Sequence, residues 1–184
     1  CSTYILCRGI QALSGKADRV IPHRIRDGYG LNISLIENAR EDDVDTILTC
    51  DNGIAAFEEI SLARDYGMTV IVTDHHEVPY TEENGNKEYH LPPADVVVDP
   101  KQSADTSHFK GICGALITYK LIEALCEKSG EEEKKKSLQK ELLPFAALAT
   151  VCDVMELRDE NRIIVKYGMQ QMKETENPGL LALL

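Results

Sequence analysis

Asp74, His75 and His76 stand directly after the apolar run Met68-Thr69-Val70-Ile71-Val72-Thr73. An acid and two imidazoles delivered together at the tip of a buried strand make a set of hard oxygen and borderline nitrogen donors, which suits a divalent transition metal. Asp51 arrives the same way, after Thr46-Ile47-Leu48-Thr49-Cys50. A helical stretch over 54–66 separates the two tips, so the spacing predicts a right-handed βαβ unit whose adjacent parallel strands present Asp51 and Asp74 at one sheet edge. A lone aspartate after a strand commonly serves as a turn residue or helix N-cap, and Asp51-Asn52-Gly53 alone says no more than that. Two adjacent histidines say more, because neighbouring side chains at a strand end diverge and cannot both be core.

The elements that must position these residues follow from periodicity. The pattern predicts helix over 2–13, strand over 19–21, a loop over 22–30, helix over 33–39, strand over 46–50, helix over 54–66 and strand over 68–73. A loop rich in Glu, Asn, Gly and Pro is expected over 77–93, then a strand over 94–98 ended by Asp99-Pro100, then helices to the end. Alternating strands and helices imply an α/β fold, an open and mainly parallel sheet with helices on both faces, followed by a helical C-terminal part. The sheet-based part is expected over about 1–100 and the helical part over about 110–184.

Two further places could hold chemistry. The run 144–152 reads as a nearly all-apolar helix that must be buried, and it delivers Asp153 at its end. A buried acid needs a partner or a cation, so Asp153 is the third candidate ligand, with a helix-terminal residue bonded to local backbone as the alternative. Gly111 and Gly114 open a helix where a backbone could approach a ligand; close helix packing would use them equally well. The run Glu131-Glu132-Glu133-Lys134-Lys135-Lys136 reads as a solvated helix end or loop.

With 184 residues and 43% hydrophobic content the chain can bury one good core. Its six cysteines form no CxxC pair and mostly sit in apolar runs, which fits buried thiols in a reducing cytoplasm rather than a disulfide framework. No stretch is long and apolar enough for membrane insertion, and no basic-then-apolar leader is present. The net charge of −11 opposes a phosphate-binding surface, but part of that acidity belongs to carboxylates that bound cations would offset.

Asp51, the Asp74-His75-His76 triplet and Asp153, in this order and with an apolar helix before the last, resemble the DHH phosphoesterases. Within that family, Ile21-Pro22-His23-Arg24-Ile25-Arg26-Asp27-Gly28-Tyr29-Gly30-Leu31 looks like the RecJ branch. Asp99-Pro100-Lys101, Phe109-Lys110 with the following Gly-x-x-Gly, the segment 149–157 and Glu160-Asn161-Arg162 agree with it. The resemblance implies a single-strand-specific DNA exonuclease of recombination and repair with a two-metal site for Mn²⁺ or Mg²⁺, and the cysteine usage adds the expectation that it acts in the cytoplasm. It implies that Asp51 bridges the metals and that His75 and Asp153 complete one metal's shell. Asp74 orients an imidazole, and His76 faces the scissile phosphate. Arg24 is a plausible phosphate contact, because a guanidinium presents a planar fork to phosphate oxygens; a solvated loop arginine is the plainer use.

By the same resemblance, an Asp-x-Asp-x-Asp-Gly loop would precede Cys1 and a smaller glycine-rich substrate-binding domain would follow Leu184. Residues 1–184 are therefore read as a catalytic domain truncated at both ends, and this chain by itself is expected to bind metal weakly and hydrolyse little. Two other readings stand beside the exonuclease: a related hydrolase of very short RNA (a nanoRNase) or of cyclic dinucleotides, and a degenerate scaffold domain without activity.

Overall fold

In the computed structural model, residues 1–25 and 28–184 are described. Arg26 and Asp27, part of the 21–31 motif, lie outside the described residues. The chain divides into two compact units, Val20–Lys110 and Cys1–Arg19 with Gly111–Leu184.

The first of these is built on a three-stranded parallel sheet, β1 (Thr46–Leu48), β2 (Thr69–Thr73) and β5 (Val96–Val98), in the order β1-β2-β5. The β-branched run of β2 suits a central strand with both neighbours paired. Its Val70 and Val72 are fully buried in one cluster with Ile36, Ile60, Ala63 and Met68, contributed by α2 (Ile33–Glu41), α3 (Phe57–Asp65) and the turn before β2. Asn32 starts α2 by accepting the Leu35 N–H at 3.0 Å, which satisfies one of the helix's orphan donors. Asp95 extends the β2–β5 ladder with its side chain, accepting the Val70 N–H at 2.8 Å, so β5 is shorter than the expected 94–98.

Three expectations are corrected in this unit. Residues 19–21 form no strand. They precede Pro22, which holds the chain extended, and Val20 and Ile21 are 68% and 74% exposed without ladder partners. The helix expected from Ile54 starts at Phe57, because the chain before it is not helical: Ala56 has φ of −87° and ψ of 59°. The expected loop over 77–93 contains an antiparallel hairpin, β3 (Tyr80–Glu83) and β4 (Asn86–Tyr89). Its turn residues Asn84 and Gly85 both have positive φ, 52° and 80°. Two left-handed residues in a two-residue loop match the twist of a hairpin, and Asn-Gly is the strongest short signal for one.

In the other unit, α1 (Ser2–Ala12) packs on α4 (Gly114–Lys128) and α5 (Glu132–Cys152), and α5 packs on α6 (Asp159–Met172); α7 (Pro178–Leu181) follows. Pro144 lies inside α5 rather than at its start. It removes one ladder bond, and burial of Leu142, Phe145, Ala146 and Ala147 offsets that loss. The Glu131–Lys136 run supplies the N-cap and first turn of this helix, exposed at Glu132, Glu133 and Lys136 and half-buried at Glu131, Lys134 and Lys135. The last turn of α5 departs from the expected burial, with Val151 47% exposed and Cys152 exposed as well.

Helices α5 and α6 meet at Gly168, where an added Cβ would stand 2.4 Å from the Ala147 Cβ and 2.8 Å from the Leu143 carbonyl oxygen. Backbone cannot yield as a side-chain tip can, so Gly168→Val is expected to cost about 1–3 kcal/mol or more through overpacking. A urea midpoint equal to that of the unmodified chain would contradict this packing.

Candidate metal centre

The parallel register decides which residues meet at the carboxyl edge of the sheet. Beyond the strands the ladder continues: the Asp51 N–H donates to the Thr73 carbonyl at 2.9 Å, and the Asp74 N–H to the Val98 carbonyl at 3.0 Å. The tips of β1, β2 and β5 therefore carry Asp51, Asp74 and Asp99 side by side.

Asp74 is the most buried of the site's charged groups, 1% exposed, and its carboxylate is saturated with donors. Oδ2 accepts the Ile54 N–H at 3.0 Å. Oδ1 accepts the N–H groups of His75 at 2.8 Å and His76 at 3.4 Å, and lies 2.6 Å from His76 Nδ1. A carboxylate only accepts, so Nδ1 carries the hydrogen and Nε2 is the imidazole's outward nitrogen. As a neutral ring, Nε2 offers a lone pair to a cation; as imidazolium, it offers a hydrogen to an anion.

Asp51 has φ of +63°, the left-handed region that aspartate tolerates better than most residues. Gly53 after it, with φ of +112°, has no room for a Cβ: one would stand 2.7 Å from Thr49 Oγ1. The bend brings Asp51 Oδ1 to 3.0 Å from His75 Nε2. That oxygen is buried and receives no hydrogen bond, because the contact lacks hydrogen-bond geometry. Asp51, His75 and His76 each offer a ligand atom within 4.8 Å of the others. A buried carboxylate oxygen without a donor, facing two imidazoles, fits a divalent cation such as zinc, manganese or iron.

Of the residues singled out in the sequence, the structure thus brings together Asp51, His75 and His76, with Asp74 behind His76. Arg24 is exposed and stacks 5.4 Å from the centre of the Tyr29 ring, and Tyr29 meets the His76 ring edge-on at 6.4 Å. Tyr29, 66% exposed, is a neighbour of the centre to which the sequence reading gave no role of its own. Asp153, Gly111 and Gly114 belong to the helical unit. Asp153 is the exposed C-cap of α5, its N–H donating to the Ala149 carbonyl at 2.9 Å. The Gly111 carbonyl accepts the Asn161 side-chain amide at 2.7 Å, and Gly114 is buried at the start of α4.

Asp99 is the residue that sequence reasoning missed as part of this edge. It is 2% exposed; Oδ1 accepts the Lys101 N–H at 2.8 Å and Oδ2 has no partner. Burial first, and the nearby Asp74 charge in addition, push its carboxyl up to about 6. The signal was available: Asp99 ends an apolar strand as Asp51 and Asp74 do.

The family model described as the DHH family, N-terminal domain, matches residues 1–150. The chain belongs to the DHH family. Among curated relatives of this DHH chain is the single-stranded-DNA-specific exonuclease RecJ of Bacillus subtilis, 37% identical over 183 residues, which take in 100% of this chain and 21% of RecJ. RecJ of Escherichia coli is 32% identical over 174 residues, with 91% of this chain and 29% of that protein covered. Among solved structures, an exonuclease RecJ bound to manganese matches with a TM-score of 0.80 at 32% identity, covering 97% of this chain and 42% of the other. RecJ of Thermus thermophilus in complex with Mn²⁺ matches with a TM-score of 0.76 at 30% identity, over 99% of this chain and 24% of the other. The DHH chain therefore spans from about a fifth to less than half of the relatives it matches.

The raised carboxyl of Asp99 has a definite sign in stability. Below about pH 4 both folded and unfolded chains hold its proton, and between about 4 and 6 only the folded chain does. Its contribution is full below the unfolded value and is lost as pH rises through about 6. In chelator-treated protein, Asp99→Asn is expected to match the wild type near pH 4, to gain on it up to about pH 6, and to keep a constant advantage above. Urea midpoints measured across that range check this, and a difference independent of pH would assign Asp99 an ordinary carboxyl.

Proposed function

We propose that this chain is the metal-binding core of a manganese- or magnesium-dependent exonuclease that hydrolyses phosphodiester bonds of single-stranded DNA, serving recombination and repair. The observation that carries the reading is the convergence of Asp51, His75 and His76, with an undonated buried oxygen on Asp51, in a DHH chain whose relatives are named single-stranded-DNA-specific exonucleases. Solved relatives hold Mn²⁺. Bound at such a site, a pair of divalent cations supplies an activated water and relief of charge on the phosphate.

The chain's own residues divide the remaining tasks. Asp51 and His75 would hold the cation, and the family resemblance gives Asp51 the part of the shared ligand. Asp74 fixes the His76 ring, so that in its protonated form Nε2–H points a hydrogen bond at a phosphate or leaving oxygen. Arg24, on the loop that reaches His76 through Tyr29, is the phosphate contact. The roles of Asp153 as a ligand and of Gly111 and Gly114 at the substrate rest on the resemblance of their segments to the family motifs. Cytoplasmic work fits the cysteines, all free among the described residues, none of whose helices is long and apolar enough to cross a membrane.

The test is a substrate panel with the full-length protein and Mn²⁺. Long 5′-ended single-stranded DNA is expected to be shortened, and di- to penta-ribonucleotides to be turned over far more slowly; the reverse order would select the nanoRNase reading, and no hydrolysis of either the scaffold. Asp51→Ala is expected to lower turnover by about 100-fold or more, since it withdraws a ligand shared by the metals. Wild-type turnover in that variant would remove Asp51 from the site.

A further inference from the structure

Two hydroxyls that no part of the proposed chemistry uses lie around the bend at Asp51. Thr73, fully buried on β2, donates its Oγ1 hydrogen to the Thr49 carbonyl at 2.7 Å. Thr49, 6% exposed at the end of β1, donates its own Oγ1 hydrogen to the Asn52 carbonyl at 2.8 Å. The Asn52 side-chain amide donates back to the Cys50 carbonyl at 3.2 Å. Both closing bonds of the bend thus bracket residue 51. Gly53 is pressed against the same hydroxyl, within 2.7 Å of where its Cβ would be.

An aspartate at φ +63° lies in the left-handed region that is unfavourable for a residue with a Cβ, and such a conformation persists only where its surroundings over-determine it. Once the Thr49 hydroxyl is removed, the bend keeps the Asp51 N–H bond to Thr73 but loses the bond that fixes the Asn52–Gly53 peptide and closes the turn around Asp51. A rotation there swings Oδ1 away from His75 Nε2, 3.0 Å distant. Removing the Thr73 hydroxyl acts one step further back, by freeing the Thr49 carbonyl.

We infer that Thr49, seconded by Thr73, is a positioning residue for the metal: its hydroxyl holds Asp51 in the left-handed bend that aims Oδ1 at the cation. The inference rests on the assignment of Asp51 as a ligand. It concerns affinity for the ion, since the hydroxyl touches neither substrate nor cation.

The experiment titrates Mn²⁺ into the full-length protein, following free Mn²⁺ by electron paramagnetic resonance, with exonuclease turnover measured in parallel and folding checked by thermal melting. Thr49→Val is expected to raise the Mn²⁺ concentration for half-saturation by about 10- to 100-fold, the usual cost of an outer-shell partner, while kcat at saturating Mn²⁺ changes much less. Thr73→Val should shift it in the same direction by less, and Thr49→Ser should restore wild-type binding. Should Thr49→Val not fold, Thr49→Ala takes its place. Unchanged Mn²⁺ half-saturation in the hydroxyl-free variants, alongside a loss in Asp51→Ala, would overturn the positioning role and leave Asp51 as ligand. Unchanged binding in Asp51→Ala would instead remove the premise. Failure of both hydroxyl-free variants to fold while Thr49→Ser folds would also overturn it, assigning the hydroxyl to the fold.

Discussion

The Asp74 carboxylate is the interaction on which the candidate metal edge depends. A charge at 1% exposure survives only where hydrogen bonds replace its lost water, and here they come from the Ile54, His75 and His76 amides and the His76 ring. One of those donors, Ile54, lies just beyond the tip of β1, so the carboxylate ties together the turns that follow two neighbouring strands. Its other oxygen sets the backbone of the histidine pair and the rotation of the second imidazole. Asp74 thereby shapes the candidate centre without occupying it, by fixing the imidazole of His76.

Electrostatics explains why this edge calls for a cation. Parallel register puts acids at the ends of all three strands, and water is excluded from two of them. Asp74 meets the difficulty with donors, Asp99 with a raised carboxyl, and Asp51 with an oxygen left open beside His75. A bound cation is the remaining way to neutralise such a cluster, which agrees with the manganese in the solved relatives.

Much of this was legible in the residues alone. Thr69–Thr73 and its Asp-His-His continuation give strand, tip and candidate ligands in one run, because the period of a buried strand and the chemistry of donors are both local. The parallel pairing of β1 and β2 follows from a connection too long for a hairpin. What failed was set by backbone or by partners that the local pattern does not carry. Ile54 reads as helix, but the chain at Ala56 is not helical. Arg19-Val20-Ile21 reads as strand, but a strand needs neighbours. The alliance of α1 with α4 and α5 depends on Gly9 admitting Ile122, a fit that no periodicity encodes. The hairpin is different, since Asn84-Gly85 announced it and the surrounding polar composition obscured it.

That hairpin, with every strand residue from Tyr80 to Glu83 and from Asn86 to Tyr89 exposed, stands outside the core cluster of its unit. Its stability is its own: a Tyr80–Tyr89 ring pair, a lysine on the Tyr80 face and a tight turn. Natural variation can therefore lengthen, trim or recolour this ribbon between relatives while leaving the ion-holding edge untouched. Gly53 has no such freedom, since one added methyl group there collides with the Thr49 hydroxyl.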